Sequence, residues 1–283
     1  MAGGILWLAS YPKSGNTWVR IFLENLFRDA ATPVSINELN VVGFGDAHIP
    51  LYERIGGRPV AAMDEAAIHA LREPLQRFLA NRPETSIVKT HNILGEHDGR
   101  PLIHLEHTMG TIYIVRNVFD VTVSLARHYD LSIADAIEAI CSPAMRTPTT
   151  GAAVFQILGR WCDHYRSWTT DVPGFEPLVL RYEDMKAKPM KAFERVARFL
   201  KLPADRGRIA KAVKFSSFEE VARQERAGGF RERVREDQVF FHSGRVGGWR
   251  QHLSPAQVAR LIDVHGEVLR ELGYLDKQGR PTV

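Results

Sequence analysis

The segment Ser10-Tyr-Pro-Lys-Ser-Gly-Asn-Thr-Trp18, near the start of the chain, has the composition of an anion-binding turn. It joins an apolar run at residues 5–9 to a pattern typical of an amphipathic helix. A turn that leads from a strand into a helix leaves backbone N–H groups without acceptors, and such groups bind phosphate or sulfate. Lys13 adds a positive charge. The segment therefore predicts a binding site for an anionic ligand.

The order of lysine and glycine distinguishes this turn from the phosphate loop of nucleoside triphosphatases. That loop has the pattern G-x-x-x-x-G-K-[ST], and the hydroxyl after its lysine holds Mg²⁺. Here Lys13 precedes Gly15, and the apolar run at 111–115 ends in Arg116 rather than in an acidic residue. These differences favour anion binding without a metal ion. An ordinary strand–turn–helix connection is the alternative interpretation.

Two further positions have side chains that suit chemistry on an anionic ligand. His91 follows the short apolar run 86–89, and a neutral imidazole can take a proton from a nucleophile near neutral pH. It is one of 11 histidines, most of which are expected to have packing or surface roles. Arg116 precedes a helical pattern that carries Ser124, so a guanidinium and a hydroxyl could bind one phosphate. Pairing of Arg116 with Asp120 is the alternative.

Five segments, in family order from near the N-terminus to about Arg250, resemble the motifs of sulfotransferases that use 3′-phosphoadenosine 5′-phosphosulfate (PAPS). The family's 5′-phosphosulfate loop corresponds to Tyr11-Pro-Lys-Ser-Gly-Asn-Thr-Trp18, and its K-T-H element to Val88-Lys-Thr-His91. The 3′-phosphate segment corresponds to Ile112-Tyr-Ile-Val-Arg-Asn-Val-Phe-Asp-Val-Thr-Val-Ser124. The Y-E-D element corresponds to Arg181-Tyr-Glu-Asp-Met185, and the G-x-x-G-x-W-K element to Gly244-Arg-Val-Gly-Gly-Trp-Arg250.

The resemblance implies a site and its residue roles. His91 is the expected catalytic base, Lys13 neutralises charge on the donor, and Lys89 is a second positive charge beside the sulfuryl group. No metal ligand is expected. The residues expected to bind the donor nucleotide are Lys13, Ser14, Gly15, Asn16, Thr17, Trp18, Arg116, Ser124, Tyr182, Ser216, His242, Ser243, Gly244 and Arg245.

One departure from the family pattern concerns the 3′-phosphate. Family members commonly place Arg-Lys-Gly before the last motif, whereas this chain has His242-Ser243-Gly244. Two positive charges are therefore missing, and Arg245 is expected to compensate from the other side of the glycine. The affinity for the donor is expected to be weaker or more dependent on pH than is usual.

The periodicity of the chain predicts an α/β fold with a central, mostly parallel sheet. The resemblance implies a three-layer α/β/α domain over residues 1–283 with a P-loop-like phosphosulfate loop. Strands are expected at 5–9, 86–89, 111–115 and 178–181. Helices are expected at 17–27, 64–80, 119–128, 154–169, 190–200, 206–214, 218–226 and 254–272. The segments 41–59, 141–151 and 223–238 have irregular patterns, and the third is either a solvated loop or a lid over the nucleotide.

Composition limits the class of protein. The formal charge of +4 without a block of Lys and Arg suits an anionic ligand and argues against a nucleic-acid partner. Two cysteines are too few for a disulfide framework. The first apolar run is short and lacks a basic leader, and no segment approaches the length of a membrane span. These features predict a cytoplasmic protein.

The expected reaction is transfer of a sulfuryl group from PAPS to a hydroxyl or amine, by in-line displacement, with release of adenosine 3′,5′-bisphosphate (PAP). The acceptor is expected to be a small molecule, a natural product or a glycan. Phe44, Ile49 and Tyr52 weakly favour a moderately hydrophobic alcohol or phenol. A metal-dependent nucleotide kinase of related fold and a non-catalytic nucleotide-binding module are the alternatives, and the oligomeric state stays open.

Overall fold

The structure is a computed structural model, and it describes residues 3–42, 44–169, 176–203, 205–233, 239–242 and 244–283. The chain divides into two compact units, each built from three separate stretches. Unit 1 comprises Met1–Tyr11, Phe44–Tyr113 and Ala139–Val179, and unit 2 comprises Pro12–Gly43, Ile114–Glu138 and Leu180–Val283. A single domain over 1–283 stays a prediction.

A central parallel sheet of four strands, flanked by helices, confirms the predicted α/β class. Its order is β2-β1-β5-β8, and two short antiparallel pairs, β3–β4 and β6–β7, lie outside it. The strands are β1 (Ile5–Ser10), β2 (Ser86–Thr90), β3 (Glu96–His97), β4 (Arg100–Pro101), β5 (Thr108–Val115), β6 (Arg146–Thr147), β7 (Gln156–Ile157) and β8 (Leu178–Arg181).

Strand β1 lies between two neighbours, and all six of its residues are buried. A strand covered on both faces has a continuous apolar sequence, which is why its pattern predicted a parallel sheet. It pairs in parallel with β2, with Ile5 opposite Ser86 and Ala9 opposite Thr90. This register brings the carboxyl ends of both strands to the same edge of the sheet, the edge where ligands bind in folds of this class.

Most of the predicted helices are present, with ends shifted by one or two residues. The described residues also contain three short 3₁₀ helices, Val60–Ala62, Leu105–His107 and Gly248–Gln251. The α-helices are α1 (Asn16–Arg28), α2 (Ile49–Gly56), α3 (Glu65–Ala70), α4 (Arg72–Ala80), α5 (Val118–Tyr129), α6 (Ile133–Cys141), α7 (Trp161–Thr169), α8 (Tyr182–Ala187), α9 (Pro189–Phe199), α10 (Arg206–Phe215), α11 (Phe218–Gly228) and α12 (Pro255–Glu271).

The prediction of one helix over 154–169 was wrong in its first half. Residues 156–157 form β7 and pair with Arg146 and Thr147, and Gly159 adopts a φ of 63° that ends the extended segment. The 64–80 helix is likewise interrupted, because α3 ends at Ala70 and α4 begins at Arg72.

Two segments that were predicted to be irregular are partly helical. Within 41–59, α2 begins at Ile49 with Pro50 in its first turn, where proline is well tolerated. Within 223–238, residues up to 228 continue α11, and residues 234–238 lie outside the described residues, so the lid stays a prediction. Helices α6 and α8 were not predicted.

Aromatic packing and a side-chain cap fix α1 within unit 2. The rings of Phe22 and Phe193 stack with their centroids 4.0 Å apart. Arg208 donates to the carbonyl of Leu26 from both Nε and Nη2, at 2.9 and 2.6 Å. A cation at the C-terminal end of a helix satisfies carbonyls that have no partner within the helix. Among the described helices, none is long and apolar enough to cross a membrane.

Helix α12 begins with a complete capping box. Ser254 Oγ accepts a hydrogen bond from the N–H of Gln257, and Gln257 Oε1 accepts one from the N–H of Ser254. Each bond satisfies an amide that has no partner within the helix.

We expect Ser254→Ala to lower the free energy of unfolding by about 1 kcal/mol, because it removes one side of the capping box. Equilibrium denaturation in urea measures the change. Ser254→Asp is the matched control, since aspartate caps helices as well as serine does and should keep the wild-type stability. Equal losses in both variants would contradict the assignment of the cap.

Candidate active site

The predicted anion-binding turn lies in unit 2, between the end of β1 and the start of α1. Lys13 has a φ of 69° and Gly15 a φ of 105°, so the chain passes twice through the left-handed region before α1 begins. A Cβ atom at Gly15 would lie 2.8 Å from Cδ2 of Tyr182. Glycine is therefore required both by the backbone angle and by the close approach of this ring.

The start of α1 has features that favour an anion. Gly15 is the N-cap, and no side chain among the described residues forms a capping bond with this end. The first N–H groups of a helix have no partner within it, and the helix dipole adds partial positive charge there. The end of α1 is thus suited to a phosphate or a sulfate.

The buried polar atoms of unit 2 without a hydrogen-bond partner among the described residues include three donors, Ser14 Oγ, Trp18 Nε1 and Arg116 Nε. Buried polar atoms in native proteins are nearly always hydrogen-bonded. All three belong to residues that the sequence assigned to the donor nucleotide. A nucleotide with phosphate groups fits this set, because each atom can donate a hydrogen bond.

Arg116 connects the turn to the C-terminal part of unit 2. Its Nη1 donates to the carbonyl of Lys13 at 3.4 Å, and its Nη2 to the carbonyl of Arg245 at 3.0 Å. Its guanidinium carbon lies 4.4 Å from the centroid of the Tyr182 ring. Asp120 is 3.8 Å from Nη2, too far for a hydrogen bond. The guanidinium is therefore held mainly by carbonyls and a ring.

Asp120 has a different main role: it anchors the last sequence motif. Its Oδ2 accepts from the N–H of Gly247 at 2.9 Å, and its Oδ1 from the N–H of Trp249 at 3.0 Å. Tyr182 adds a bond from its hydroxyl to the carbonyl of Gly244 at 3.1 Å. The described residues of the segment Gly244–Arg250 are thereby fixed against α5 and α8.

A buried glutamate orients the residue that follows Arg116. Glu183 Oε1 accepts from the side-chain amide of Asn117 at 2.7 Å and from its N–H at 3.1 Å. Glu183 Oε2 accepts from the hydroxyl of Tyr274 at 2.6 Å. Burial, and the charge of Glu183 next to it, raise the pKa of Tyr274, so its hydroxyl stays protonated and donates.

Lys13 lies against an aromatic ring. Its Nζ is 4.1 Å from the centroid of the Phe240 ring, a cation–π distance. Glu225 accepts hydrogen bonds from the N–H groups of Phe240 and Phe241 at 2.7 and 2.8 Å. A buried carboxylate on α11, which also pairs with Arg233, therefore fixes the backbone that carries this ring.

The remaining predicted nucleotide residues have varied positions. Ser216 is fully buried, and its hydroxyl donates to the carbonyl of Ala212 in its own helix. Ser124 is half-buried on α5. Burial, and then the positive charge of Arg127, lower the pKa of His242. Ser243 lies outside the described residues.

The predicted base lies in unit 1, at the carboxyl end of β2. His91 Nδ1 is 2.7 Å from the backbone oxygen of Ser10, the last residue of β1. A carbonyl oxygen only accepts hydrogen bonds, so Nδ1 carries the proton. In the neutral ring Nε2 then has the lone pair, which is the state that a general base needs.

The backbone at this histidine and at the residue after it is held by α7. His164 Nε2 donates to the carbonyl of His91 at 3.1 Å, and Trp168 Nε1 donates to the carbonyl of Asn92 at 3.0 Å. The Tyr113 hydroxyl donates to His164 Nδ1 at 2.8 Å. Burial lowers the pKa of His164 to about 4, so its ring is neutral at physiological pH.

A second group of side chains near His91 was not found from the sequence. Asp46, 2% exposed, accepts hydrogen bonds from Thr90 and from Asn92, the residues on either side of the base. The segment that carries Asp46 was interpreted as an irregular acceptor loop, and no motif marks it. His164 also lacked a signal beyond its place in a helical pattern, whereas Asn117 and Glu183 lie inside two of the quoted motifs.

Unit 1 also contains a cavity of about 610 Å³. Arg146 and Glu65 in its wall form an ion pair at 2.6 Å. Of the predicted acceptor residues, Tyr52 is 1% exposed and therefore packs in the core. This burial raises the pKa of its hydroxyl to about 12. The residues that line the cavity are Val60, Ala61, Met63, Glu65, Ile68, Arg146, Pro148 and Thr149.

Comparison with known proteins agrees with the resemblance of the sequence motifs. A family model described as a sulfotransferase domain matches residues 5–273. Sulfotransferase 1B1 of the dog, Canis lupus familiaris, is 26% identical over 215 residues, which cover 75% of this chain and 64% of the dog protein. Flavonol 3-sulfotransferase of Flaveria bidentis is 25% identical over 293 residues, which cover 96% of this chain and 84% of the plant protein.

A solved structure supports the fold. The crystal structure of mouse sulfotransferase SULT7A1 complexed with PAP superposes with a TM-score of 0.63 at 20% identity. The match covers 96% of this chain and 86% of the mouse chain. At this level of identity the likeness concerns the fold.

The lowered pKa of His164 predicts a pH dependence of stability. Between its usual pKa of 6.5 and about 4, the unfolded chain binds a proton that the folded chain does not. The free energy of unfolding therefore falls as the pH falls through this window, by up to about 3 kcal/mol from this group. We expect His164→Gln to be less stable at pH 7 but to lose less stability between pH 6.5 and 4.

Urea denaturation of both proteins at a series of pH values measures this difference. The contributions of groups that titrate alike in both proteins cancel when the two curves are subtracted. Gln76→Ala, which removes a buried side chain that does not titrate, is the matched control and should give a curve parallel to that of the wild type. Parallel curves for His164→Gln and the wild type would show that His164 does not carry the effect.

Proposed function

Because the chain belongs to the sulfotransferase domain family, we propose that it transfers a sulfuryl group from PAPS to a hydroxyl or amine and releases PAP. One observation carries the proposal. In unit 2, Arg116 contacts the carbonyls of Lys13 and Arg245 and the ring of Tyr182, so residues from four separate sequence motifs lie together, which supports one shared anion-binding site.

The donor-binding residues are those that gather at the start of α1. The amides of this helix end, together with Ser14 Oγ and Arg116 Nε, would hold the anionic groups of the nucleotide. Trp18 and Tyr182, whose rings meet edge to face at 5.8 Å, are apolar surfaces suited to the adenine. When bound, the donor supplies an activated sulfuryl group.

The proposed catalytic base is His91. With Nδ1 held by the carbonyl of Ser10, Nε2 accepts the proton of the acceptor hydroxyl as this attacks. Lys13 and Lys89 supply positive charge that stabilises the negative charge of the departing nucleotide, without a metal ion. The family's usual Arg-Lys pair is absent before Gly244, and Arg245 is proposed to take over part of its role.

The proposed acceptor is a small molecule, natural product or glycan. Flavonol 3-sulfotransferase, whose name gives a flavonol as its substrate, supports a phenol or alcohol. The proposed location is the cytoplasm, on the basis of the two cysteines, which are buried and form no disulfide within the described residues. A partner nucleic acid is not part of the proposal.

Nucleotide binding without metal tests the donor site. In buffer that contains EDTA, we expect calorimetry to show binding of PAP, and Lys13→Ala and Arg116→Ala to weaken it about 10- to 100-fold, because each loses a charged hydrogen bond. Lys191→Ala, an exposed lysine on α9, is the matched control and should bind PAP as the wild type does. A requirement for Mg²⁺ would instead favour a nucleotide kinase.

Turnover tests the base. We expect His91→Ala to bind PAP with the wild-type affinity but to lose about 10²- to 10⁴-fold in kcat, the usual contribution of a general base. Release of PAP from PAPS, with 2-naphthol as acceptor, measures kcat. His252→Ala is the control for a histidine outside the site. An unchanged kcat in His91→Ala would exclude the proposed role.

A further inference from the structure

A short segment of unit 1 pairs with the end of β2 and carries an aspartate. The N–H of Lys89 donates to the carbonyl of Phe44 at 3.3 Å, and the N–H of Asp46 donates to the carbonyl of Lys89 at 2.9 Å. Gly45 forms an isolated parallel bridge with Lys89, and a Cβ atom at this glycine would lie 2.9 Å from the Lys89 oxygen. The absence of a side chain at Gly45 therefore allows Asp46 to lie directly beside Thr90.

The Asp46 carboxyl group holds both neighbours of the base. Its Oδ2 accepts from Thr90 Oγ1 at 2.8 Å and from Asn92 Nδ2 at 2.7 Å. Thr90 Oγ1 in turn accepts from the N–H of Asn92 at 3.0 Å, which closes a ring of bonds around the turn that carries His91. Gln156 Nε2 approaches the other oxygen at 3.4 Å.

We propose that Asp46 is a positioning residue of the active site, which fixes the backbone turn at His91 and so keeps the imidazole in its hydrogen bond with Ser10. This inference rests on the proposed role of His91 as the base. Asp46 itself takes no part in proton transfer. Its proposed route to the chemistry is through Thr90 and Asn92, the residues on either side of His91.

The hydrogen-bond donors around Asp46 indicate that its ionised form is the one that fixes the turn at His91. Amide nitrogens only donate hydrogen bonds, and the hydroxyl of Thr90 also donates to Asp46 while it accepts from the N–H of Asn92. A protonated carboxyl would add an O–H donor to a site in which Thr90 and Asn92 already donate to Asp46. Burial raises the pKa of Asp46, whereas the positive charge of Arg72 is the largest influence that opposes this change, with a smaller one from Lys89.

The rest of the turn is held independently of Asp46. His164 and Trp168 bind the carbonyls of His91 and Asn92 from α7, and Asn92 Oδ1 accepts from the N–H of Ile157 on β7. Loss of the carboxylate therefore leaves the turn attached but less constrained. A displacement of about 1 Å in a reacting group is enough to cost about 100-fold in rate.

The test compares Asp46→Ala and Asp46→Asn with the wild type. We expect Asp46→Ala to bind PAP within about twofold of the wild type and to lose about 100-fold in kcat with 2-naphthol. Asp46→Asn keeps an oxygen that accepts from Thr90 and Asn92, so we expect it to recover most of the loss. Nitrogen-15 NMR of the histidine rings should show His91 as the Nδ1–H tautomer in the wild type and as a mixture of tautomers in Asp46→Ala.

The decisive comparison is made in a His91→Ala background. If Asp46 acts only through His91, adding Asp46→Ala to His91→Ala produces no further loss of kcat. A further loss of about 100-fold would overturn the inference, as would an unchanged His91 tautomer together with an unchanged kcat in Asp46→Ala. A normal kcat in His91→Ala alone would instead refute the proposed base, so the two failures are distinguishable.

Gln76→Ala controls for general destabilisation of unit 1. Gln76 is 1% exposed, and its side chain bonds to the backbone of Leu102 and His104. We expect this variant to lower the melting temperature as Asp46→Ala does, while it keeps the wild-type kcat and the His91 tautomer. An equal loss of kcat in Gln76→Ala would mean that Asp46 contributes only to stability.

Discussion

The hydrogen bond from His91 Nδ1 to the backbone oxygen of Ser10 is the interaction on which the proposed chemistry depends. It sets the tautomer of the ring, because a carbonyl oxygen can only accept. Its acceptor is the last residue of a strand that is buried throughout, so the oxygen has almost no freedom to move. The His91 side chain, which follows β2, is thus held by a backbone atom of a buried strand.

Positive charge in unit 2 is organised so that it remains available to an anion. The carboxylates in this region mainly accept other donors: Asp120 accepts backbone amides, Glu183 accepts Asn117 and Tyr274, and Glu225 accepts Arg233 and the amides of Phe240 and Phe241. Arg116 is oriented by carbonyl oxygens and a ring, and Asp120 forms only a long ion pair with it, at 3.8 Å. Acids that support the backbone therefore let basic residues keep their charge for a ligand.

The elements that depend on neighbouring residues could be predicted from the sequence, whereas those that depend on contacts between residues far apart in the sequence could not. Strand β1 and the turn after it were predictable because an apolar run, a lysine and a glycine lie next to one another. Helix α7 was predicted to begin too early, since residues 156–157 pair with β6, and pairing between distant segments leaves little trace in periodicity. Asp46 was missed for the same reason: its partners Thr90 and Asn92 lie 44 and 46 residues away.

The parallel register of β1 with β2 has a consequence for how the protein is made. Ser10 and His91 are 81 residues apart in the sequence, and the segment between them must close as a loop before they meet. Contacts of such long range carry a larger entropy cost of loop closure than local contacts do. A growing or partly folded chain therefore lacks an oriented imidazole, and the base is assembled only with the sheet itself.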